Sequence, residues 1–343
     1  MTASGIPIRN IYYLLCYAWN RLPESNVVDV SRLQSTELAD LFAHVLIGGV
    51  RHVARRGLEK GYEEHSDELR SVRGRVNVLE SARRFLLRHG RASCSYDELT
   101  VNTPANRIVK ATLRHLAGVP SLDRHLKTEL LALYRSLSGV DSVALSSRLF
   151  RTIQLHSNNG YYRFLLNVCE FVCDAWLVDQ KTGDYRFRDF LRDEDRMALV
   201  FQSFVFNFLR LERPDLAPRV EYITWRVESE TDPALALLPR METDISLVSQ
   251  TDKLIIDTKY YAKTLQERYD KESIHSANLY QMFAYLMNVP DENRKVSGML
   301  LYPVVTRALR ESYRFQGKVI RVCTVDLSQD WPEIRDELLR LVA

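Results

Sequence analysis

The chain has few of the features that mark exported, membrane-spanning or disulfide-stabilised proteins. Its 343 residues include only five cysteines, and their scattered positions favour reduced thiols in a cytoplasmic protein. No apolar run approaches the length needed to cross a bilayer, and the N-terminus lacks a basic stretch followed by an apolar core. None of the eight histidines forms a spaced metal cluster with the cysteines. We therefore expect a cytoplasmic protein with no membrane partner.

Excess charge of either sign is also missing, apart from one segment. The formal net charge of +3 is too small for a protein that coats DNA in bulk. Residues 70–91, however, contain seven arginines and a single acid, Glu80. Arginine at this density suits recognition of phosphates or carboxylates, and a solvated helix face is the alternative interpretation. Within the segment, Arg83, Arg84 and Arg88 are the predicted contacts to a partner or to DNA.

The length and the order of apolar patterns predict two domains of α/β class. A turn-rich break at residues 181–184 separates an N-terminal mixed α+β domain, 1–180, from a second domain, 181–343. In the second domain a helix is followed by strands with an acidic hairpin, another helix and further strands. That order is typical of a restriction-endonuclease-like core. Helical spacing is found at residues 9–20, 36–56, 104–117, 126–137, 161–178, 197–211, 275–287 and 331–343.

A β-hairpin predicted within residues 241–260 brings two carboxylates together. Two apolar runs rich in β-branched residues flank a short polar turn, which is the usual hairpin pattern. A loop centred on that turn pairs Val248 with Lys253. The same register, continued along the ladder, sets Asp244 opposite Asp257, and opposed residues share a face of the sheet.

The chemistry expected of this cluster is metal-dependent hydrolysis of a phosphodiester. Lys259 lies two residues after Asp257 and points to the same face of its strand. Opposed carboxylates repel unless a cation lies between them, so Asp244 and Asp257 are the predicted ligands of Mg2+, or of Mn2+ in its place. This layout resembles the PD-(D/E)xK nucleases, with Asp244, Asp257 and Lys259 as the catalytic set. A surface hairpin with a solvated salt bridge is the alternative, but the apolar run before Asp257 favours burial and therefore function.

Four further residues are assigned to the site by weaker arguments. Gln281 and Tyr285 are one turn apart on the helix after the hairpin, and they resemble the Gln-x-x-x-Tyr motif of RecB-like nucleases, which helps hold the DNA backbone and the site. A helix with one exposed glutamine and one buried tyrosine is the alternative. Gln202 lies in the first helix of the second domain, where many such nucleases have a glutamate, which implies one acidic ligand fewer. Glu242 precedes Asp244 by two residues, shares its face, and is a candidate metal contact outside the direct ligands.

Six segments together carry a resemblance to one family. They are residues 6–13, 74–75, 102–107, 238–244, 257–261 and 278–281. The chain resembles, over nearly its whole length, the McrC family of nuclease subunits from modified-cytosine-dependent McrBC restriction systems. The family pattern implies the same catalytic residues, Asp244, Asp257 and Lys259, that the hairpin argument selects.

The resemblance also implies a division of labour between two proteins. McrC acts with McrB, a hexameric AAA+ GTPase that carries the reader of modified DNA. The present chain has no G-x-x-x-x-G-K-[ST] loop, so we expect GTP to act only through the partner. The resemblance implies that residues 1–180 enter the partner ring and stimulate its GTPase. It also implies that two chains meet through their nuclease domains to cut double-stranded DNA with modified cytosine.

Two other functions remain open on the sequence. A stand-alone DNA repair nuclease of the RecB type would cleave without any partner. A catalytically silent adaptor of an AAA+ ring would show no Mg2+-dependent cleavage even with the motor present. The intact set of Asp244, Asp257 and Lys259 argues against the adaptor.

Overall fold

The computed structural model describes residues 6–20, 37–153, 160–178, 185–187, 193–261, 266–268, 271–290, 294–305 and 307–343. Its helices are α1 (Ile8–Ala18), α2 (Leu38–Arg56), α3 (Val78–Arg83), α4 (Pro104–Ala117), α5 (Arg124–Ser136), α6 (Ser147–Arg151), α7 (Gly160–Ala175), α8 (Glu194–Glu212), α9 (Ser276–Asn288) and α10 (Trp331–Leu341). Its strands are β1 (Gly61–Leu69), β2 (Arg75–Val76), β3 (Ala92–Thr100), β4 (Trp176–Val178), β5 (Tyr185–Phe187), β6 (Tyr222–Ile223), β7 (Met241–Glu242), β8 (Ile245–Val248), β9 (Asp252–Thr258), β10 (Gln266–Arg268), β11 (Lys271–Ser273), β12 (Lys295–Pro303), β13 (Arg310–Phe315) and β14 (Lys318–Val325). The predicted mixed α/β class is confirmed. Within the described residues, no helix combines the length and the apolar character needed to cross a membrane.

Contacts divide the chain into two compact units. The inserted unit is the continuous segment Phe42–Phe187. The discontinuous unit joins Met1–Leu41 to Arg188–Ala343. Each unit has its own sheet and its own buried core, and the predicted catalytic residues all belong to the discontinuous unit.

The first helix marks the difference between this division and the one drawn from the sequence. The sequence division placed α1 in a continuous domain of residues 1–180, whereas contacts place α1 with the second half of the chain. The reason is packing of α1 on α8 and α10. The ring of Tyr17 lies 5.8 Å from that of Phe204 and 5.2 Å from that of Trp331. The turn predicted at residues 181–184 lies outside the described residues.

A buried asparagine fixes α1 to the chain segment before α10. Asn10 is fully buried, and its Nδ2 donates to the carbonyl oxygens of Leu327 and Gln329, each at 2.8 Å. Two bonds from one amide replace the water that these carbonyls would otherwise bind. The first of the six resembling segments is therefore accounted for by packing within the discontinuous unit.

The inserted unit carries a long antiparallel hairpin. β1 and β3 pair from Gly61 opposite Thr100 to Leu69 opposite Ala92, and β2 joins the other side of β3. Sequence analysis missed β1, because most of its residues are polar or charged and show no apolar alternation. Helix α3 does not continue into the 3-10 turn Leu86–His89, because Phe85 between them has a φ of 54°.

The base of this hairpin is fastened to α4 by one side chain. Asn106 donates through Nδ2 to the carbonyl oxygens of Glu59 and Val101, at 2.9 and 2.7 Å. Its Oδ1 accepts from the hydroxyl of Tyr162 at 2.9 Å. These contacts hold the chain just before β1 and just after β3, which explains the polar segment 102–107 as a structural fastening.

The discontinuous unit is built on a five-stranded mixed sheet in the order β13-β14-β12-β9-β8. β9, β12 and β14 are parallel, and β8 and β13 pair antiparallel at the two edges. Helix α9 covers one face of the sheet, where Met282 and Leu286 join a core with Ile255, Leu300 and Val322. Helix α8 contacts β9, and α10 contacts β14.

Close packing of α9 on β12 depends on one glycine. A Cβ added at Gly298 would lie 2.4 Å from Sδ of Met282 and 2.8 Å from its Cγ, so the side chain of Met282 would have to shift. The glycine therefore lets α9 approach the strand. This helix carries Gln281 and Tyr285, so the approach also brings both residues toward the end of β9.

Candidate active site

The predicted hairpin is formed by β8 and β9. The ladder begins with Val248 opposite Lys253 and runs to the pair that lies next to Asp244 and Asp257, so the predicted register is confirmed. Asp244 is the residue before β8, and Asp257 lies within β9 near its C-terminal end. Because β9 also pairs with β12, Asp257 is set in the interior of the sheet and not at a free edge.

Three donors hold the carboxylate of Asp244. Its Oδ1 accepts a hydrogen bond from Nε2 of Gln202 at 3.0 Å. Its Oδ2 accepts from the backbone N–H and the hydroxyl of Thr258, at 2.7 and 2.8 Å. Hydrogen bonds to a carboxylate favour its charged form and fix its orientation. Gln202, predicted by its position in the first helix, is thus brought directly to Asp244 by α8.

The surroundings of Asp257 are different. Its side chain is almost completely buried, with the residue 1% exposed. Burial raises the pKa of this carboxyl to about 7; the ammonium of Lys259 opposes the rise, and the negative charge of Asp244 adds to it. Nζ of Lys259 lies 3.0 Å from Oδ2 of Asp257. The two groups form an ion pair. No donor among the described residues has the angles of a hydrogen bond to that oxygen.

A chain of hydrogen bonds positions Lys259. Its Nζ donates to Oε1 of Gln281 at 3.0 Å, and Nε2 of Gln281 donates to the hydroxyl of Tyr285 at 2.8 Å. That hydroxyl donates in turn to the carbonyl oxygen of Glu242 at 2.7 Å. Glu242 enters this chain through its backbone, and its side chain is exposed. Gln281 and Tyr285 therefore form a link from the ammonium to β7.

Sequence reasoning missed two polar features of the site. Thr258 was overlooked because strand alternation directs it away from the face shared by its two charged neighbours. The second feature is a buried pair in which Nδ2 of Asn278 donates to the hydroxyl of Tyr302 at 3.0 Å. Burial raises the pKa of Tyr302 to about 12, and the charge of Asp257 contributes to that rise. Asn278 belongs to a segment that resembled the family, so its presence in a motif was the available signal.

The three predicted arginines belong to the inserted unit. Arg83 and Arg84 are near the end of α3, and Arg88 is in the 3-10 turn that follows. Arg84 forms an ion pair with Glu68 of β1. The guanidinium of Arg88 lies 5.2 Å from the ring centroid of Phe85. All three arginine side chains are exposed.

The donor set at the catalytic cluster suits one hard divalent cation. Within the described part of the chain, no three His, Cys, Asp or Glu side chains are grouped as a metal site. The available groups are two carboxylates, Asp244 and Asp257, with the amide of Gln202 where a third acid would add charge. The buried Oδ2 of Asp257 has no aligned donor and faces added negative charge from Asp244. Both observations fit Mg2+, which prefers carboxylate and water oxygens.

Comparisons with known proteins point to the same family that the sequence motifs resemble. A family model described as McrBC 5-methylcytosine restriction system component matches residues 8–303, which include the whole catalytic cluster. The type IV methyl-directed restriction enzyme EcoKMcrBC of Escherichia coli (strain K12) is 38% identical over 340 residues, which cover 99% of this chain and 98% of that protein.

Two solved structures are similar in fold. One is a chain from the refined half-complex of the tetradecameric assembly of Thermococcus gammatolerans McrB AAA+ hexamers with bound McrC, with a TM-score of 0.61 and 16% identity. That similarity covers 98% of this chain and 76% of the other. The other is a chain of the Thermococcus gammatolerans McrBC complex, with a TM-score of 0.45 and 18% identity over 60% of this chain and 58% of that one. At these identities the likeness concerns the fold, and only the first score is high enough to support it.

Proposed function

Because the chain belongs to the family of McrBC 5-methylcytosine restriction system components, we propose that it is the endonuclease subunit of a GTP-dependent complex that cuts DNA with modified cytosine. The observation that carries the proposal is the cluster at the end of β9, in which the buried carboxylate of Asp257 lies beside the partly buried side chains of Asp244 and Lys259. We assign a PD-(D/E)xK nuclease fold to the discontinuous unit on the same basis.

In this proposal the two carboxylates have separate tasks. Mg2+, or Mn2+ in its place, would polarise the phosphodiester and supply a more acidic water when held by Asp244 and Asp257. Asp244 is oriented by three donors, so it offers a ligand that does not need to reorganise. Asp257 is buried and needs a positive neighbour to stay ionised, which couples its charge to Lys259 and to a cation.

Lys259 would act on the proton and the charge of the reaction. Its Nζ is fixed by Asp257 and Gln281, each 3.0 Å away. An ammonium held in this way can orient the attacking water or offset charge that develops on the phosphate. Tyr285 keeps the amide of Gln281 turned so that its oxygen, rather than its nitrogen, faces Lys259.

GTP hydrolysis and recognition of the modified base are proposed to lie in a partner. The sequence has no phosphate-binding loop of the G-x-x-x-x-G-K-[ST] type, so the chain needs a hexameric AAA+ GTPase of the McrB kind. We propose that the inserted unit, with Arg83, Arg84 and Arg88 in the segment between β2 and β3, contacts that ring and stimulates its hydrolysis. Cutting both strands needs two active sites, so two chains are proposed to meet through their discontinuous units.

The decisive experiment is reconstitution with the AAA+ GTPase of the same restriction system. The two proteins, GTP and Mg2+ are expected to produce double-strand breaks in DNA with methylated cytosine and to leave unmethylated DNA intact. The chain alone should show negligible GTPase activity and little or no cleavage, and it should raise the GTPase rate of the partner. Efficient cutting of unmodified DNA by the chain alone, with the partner's GTPase rate unchanged, would instead identify a stand-alone repair nuclease. A raised GTPase rate without any cleavage would identify a silent adaptor.

A further inference from the structure

A second binding site adjoins the catalytic cluster. The discontinuous unit has an open cavity of about 500 Å3 between β6, β7 and the loop that joins them. This volume is within the usual range of small-ligand pockets. The lining residues relevant here are Tyr222, Trp225, Leu235, Leu238, Pro239 and Arg240.

The loop that walls the cavity is ordered by its own hydrogen bonds. Asp232 accepts from the backbone N–H groups of Ala236 and Leu237, both at 3.0 Å. Nε1 of Trp225 donates to the carbonyl oxygen of Pro239 at 2.7 Å. The indole is thereby fixed against the far side of the loop, so the cavity is formed before any ligand enters.

The cavity combines aromatic surface with an uncompensated positive charge. Tyr222 is 66% exposed although it belongs to a strand, and Trp225 is half-buried at the edge of the core. Arg240 is exposed, and none of the ion pairs among the described residues involves it. Aromatic faces stack on nucleobases irrespective of sequence, and arginine pairs with phosphate.

The cavity is also close along the chain to Asp244, because its lining residue Met241 belongs to β7. In the β6–β7 ladder, Tyr222 is opposite Glu242 and Ile223 is opposite Met241. Only two residues lie between Met241 and Asp244, so their Cα atoms are at most about 11 Å apart. A DNA strand whose phosphate lies at Asp244 would therefore have a neighbouring nucleotide within reach of the cavity.

We propose that this cavity binds an unstacked nucleobase of the DNA strand, next to the phosphate that is cut. The base stacks on Tyr222 or Trp225, and the adjoining phosphate pairs with Arg240. This inference rests on the proposed nuclease function, and it adds a subsite that grips the strand by base surface and not by sequence. The subsite would set the scissile phosphate in register with Asp244 and Lys259.

Trp225 provides the measurement. The full chain in EDTA, which prevents cleavage, is titrated with a short oligothymidylate and with an abasic oligonucleotide of the same length and charge. We expect Trp fluorescence to be quenched by the first, with an affinity at least about fivefold higher than that of the abasic chain, the factor at the lower end of aromatic base stacking. Trp225→Phe should remove the quench, and fluorescence anisotropy of a labelled oligonucleotide should show weaker binding by Tyr222→Ala and Arg240→Gln.

Tyr313→Ala is the matched control, because Tyr313 is an exposed tyrosine on the opposite edge strand, β13. It should bind like the wild type. Equal affinity for the two oligonucleotides, a quench that survives Trp225→Phe, or equal weakening by Tyr313→Ala would each overturn the subsite. Cleavage is assayed separately in the reconstituted complex, so base-dependent binding without cleavage would reject the nuclease function and leave the subsite in place.

Discussion

The molecule concentrates charge in two regions that are built in opposite ways. At the end of β9, Asp257 is 1% exposed and its neighbours Asp244 and Lys259 are held by specific hydrogen bonds. In the segment 70–91 the arginines are exposed, and among the described residues only Arg73 and Arg84 form ion pairs with acids. In the first region the charged side chains are shielded from water and held in place, whereas in the second they are exposed to solvent.

In the proposed function, the first region carries out the chemistry and the second mediates association with the partner. Buried charges in fixed geometry act strongly on a transition state, since water neither screens nor competes with them. Exposed arginines contribute to docking by many weak contacts that salt reduces. Substitutions in the first region should therefore have large, local effects on cleavage, and those in the second should have graded effects on assembly.

The largest effect is expected from the catalytic set. Asp244→Asn, Asp257→Asn and Lys259→Ala should each lower DNA cleavage by about a thousandfold or more, because each removes a charge from the reacting centre. Assembly with the GTPase partner and its stimulation should persist, which is measured by partner GTPase rates. Asp252→Asn is the control, since Asp252 is an exposed acid at the other end of the same strand. Full cleavage by Asp257→Asn would remove this site from consideration.

Removal of one hydroxyl should have the next largest effect. Thr258→Val keeps the shape of the side chain and the backbone donor but deletes the hydroxyl that binds Asp244 at 2.8 Å. We expect the affinity for Mn2+, measured by titration calorimetry, to fall by about 10- to 100-fold, as is usual when the partner of a metal ligand is lost. Thr258→Ser keeps the hydroxyl and should bind metal nearly as the wild type does. Identical metal affinities for the valine and serine variants would show that Asp244 does not depend on this bond.

Charge reversal in the segment 70–91 should weaken assembly with the partner. The triple substitution of Arg83, Arg84 and Arg88 to Glu is expected to weaken complex formation by about tenfold, given the modest energy of each exposed pair. If DNA phosphates are the contact, the loss will grow steeply as salt falls, because the wild type gains most there. The control reverses Arg124, Lys127 and Arg135 on α5, which are also exposed. Equal assembly by both triple variants would support the solvated-face interpretation.

The smallest effect is expected from Tyr285, which lies two hydrogen bonds away from the ammonium of Lys259. Tyr285→Phe removes the hydroxyl that orients Gln281 but leaves the direct bond between Gln281 and Lys259. We expect kcat at saturating DNA to fall by up to about tenfold, since a small misplacement of a catalytic group lowers the rate. Tyr280→Phe, an exposed tyrosine on the same helix, should match the wild type. A drop as large as that of Lys259→Ala would mean that Tyr285 takes a direct part in the reaction.

These two regions also differ in how far the sequence predicts them. The register of the β8–β9 hairpin follows from local pattern. A polar turn lies between two apolar runs, and the two-residue period of a strand then determines which side chains are opposed. The contact between Gln202 and Asp244 depends on how α8 packs against β9, which no local pattern encodes. The helix α9 packs close to β12, where the absence of a Cβ at Gly298 leaves room for Met282, and this packing brings Gln281 to Lys259. Tertiary packing thus completes a site that local pattern only outlines.

The inserted unit was harder to predict because strand β1 of its β1–β3 hairpin has no fully buried side chain. Most residues of β1 are polar or charged, so the strand has no apolar face by which it could be recognised. Its pairing is fixed instead by Asn106 at the base of the hairpin, a buried amide that a single sequence does not distinguish from a helix cap. Polar fastening of this kind carries no periodicity, and only a structure reveals it.

The separation of α1 from α8 along the chain has a consequence for synthesis on the ribosome. The apolar face of α1 leaves the exit tunnel first, but its partner α8 is made only after the whole inserted unit. At elongation rates of about 5–20 residues per second the delay is roughly 10 to 40 s. During that time Phe42–Phe187, a continuous segment, can complete its own fold while the nascent α1 waits exposed to chaperones. We therefore expect the inserted unit to fold first, and the discontinuous unit, which carries the proposed nuclease site, to be completed last.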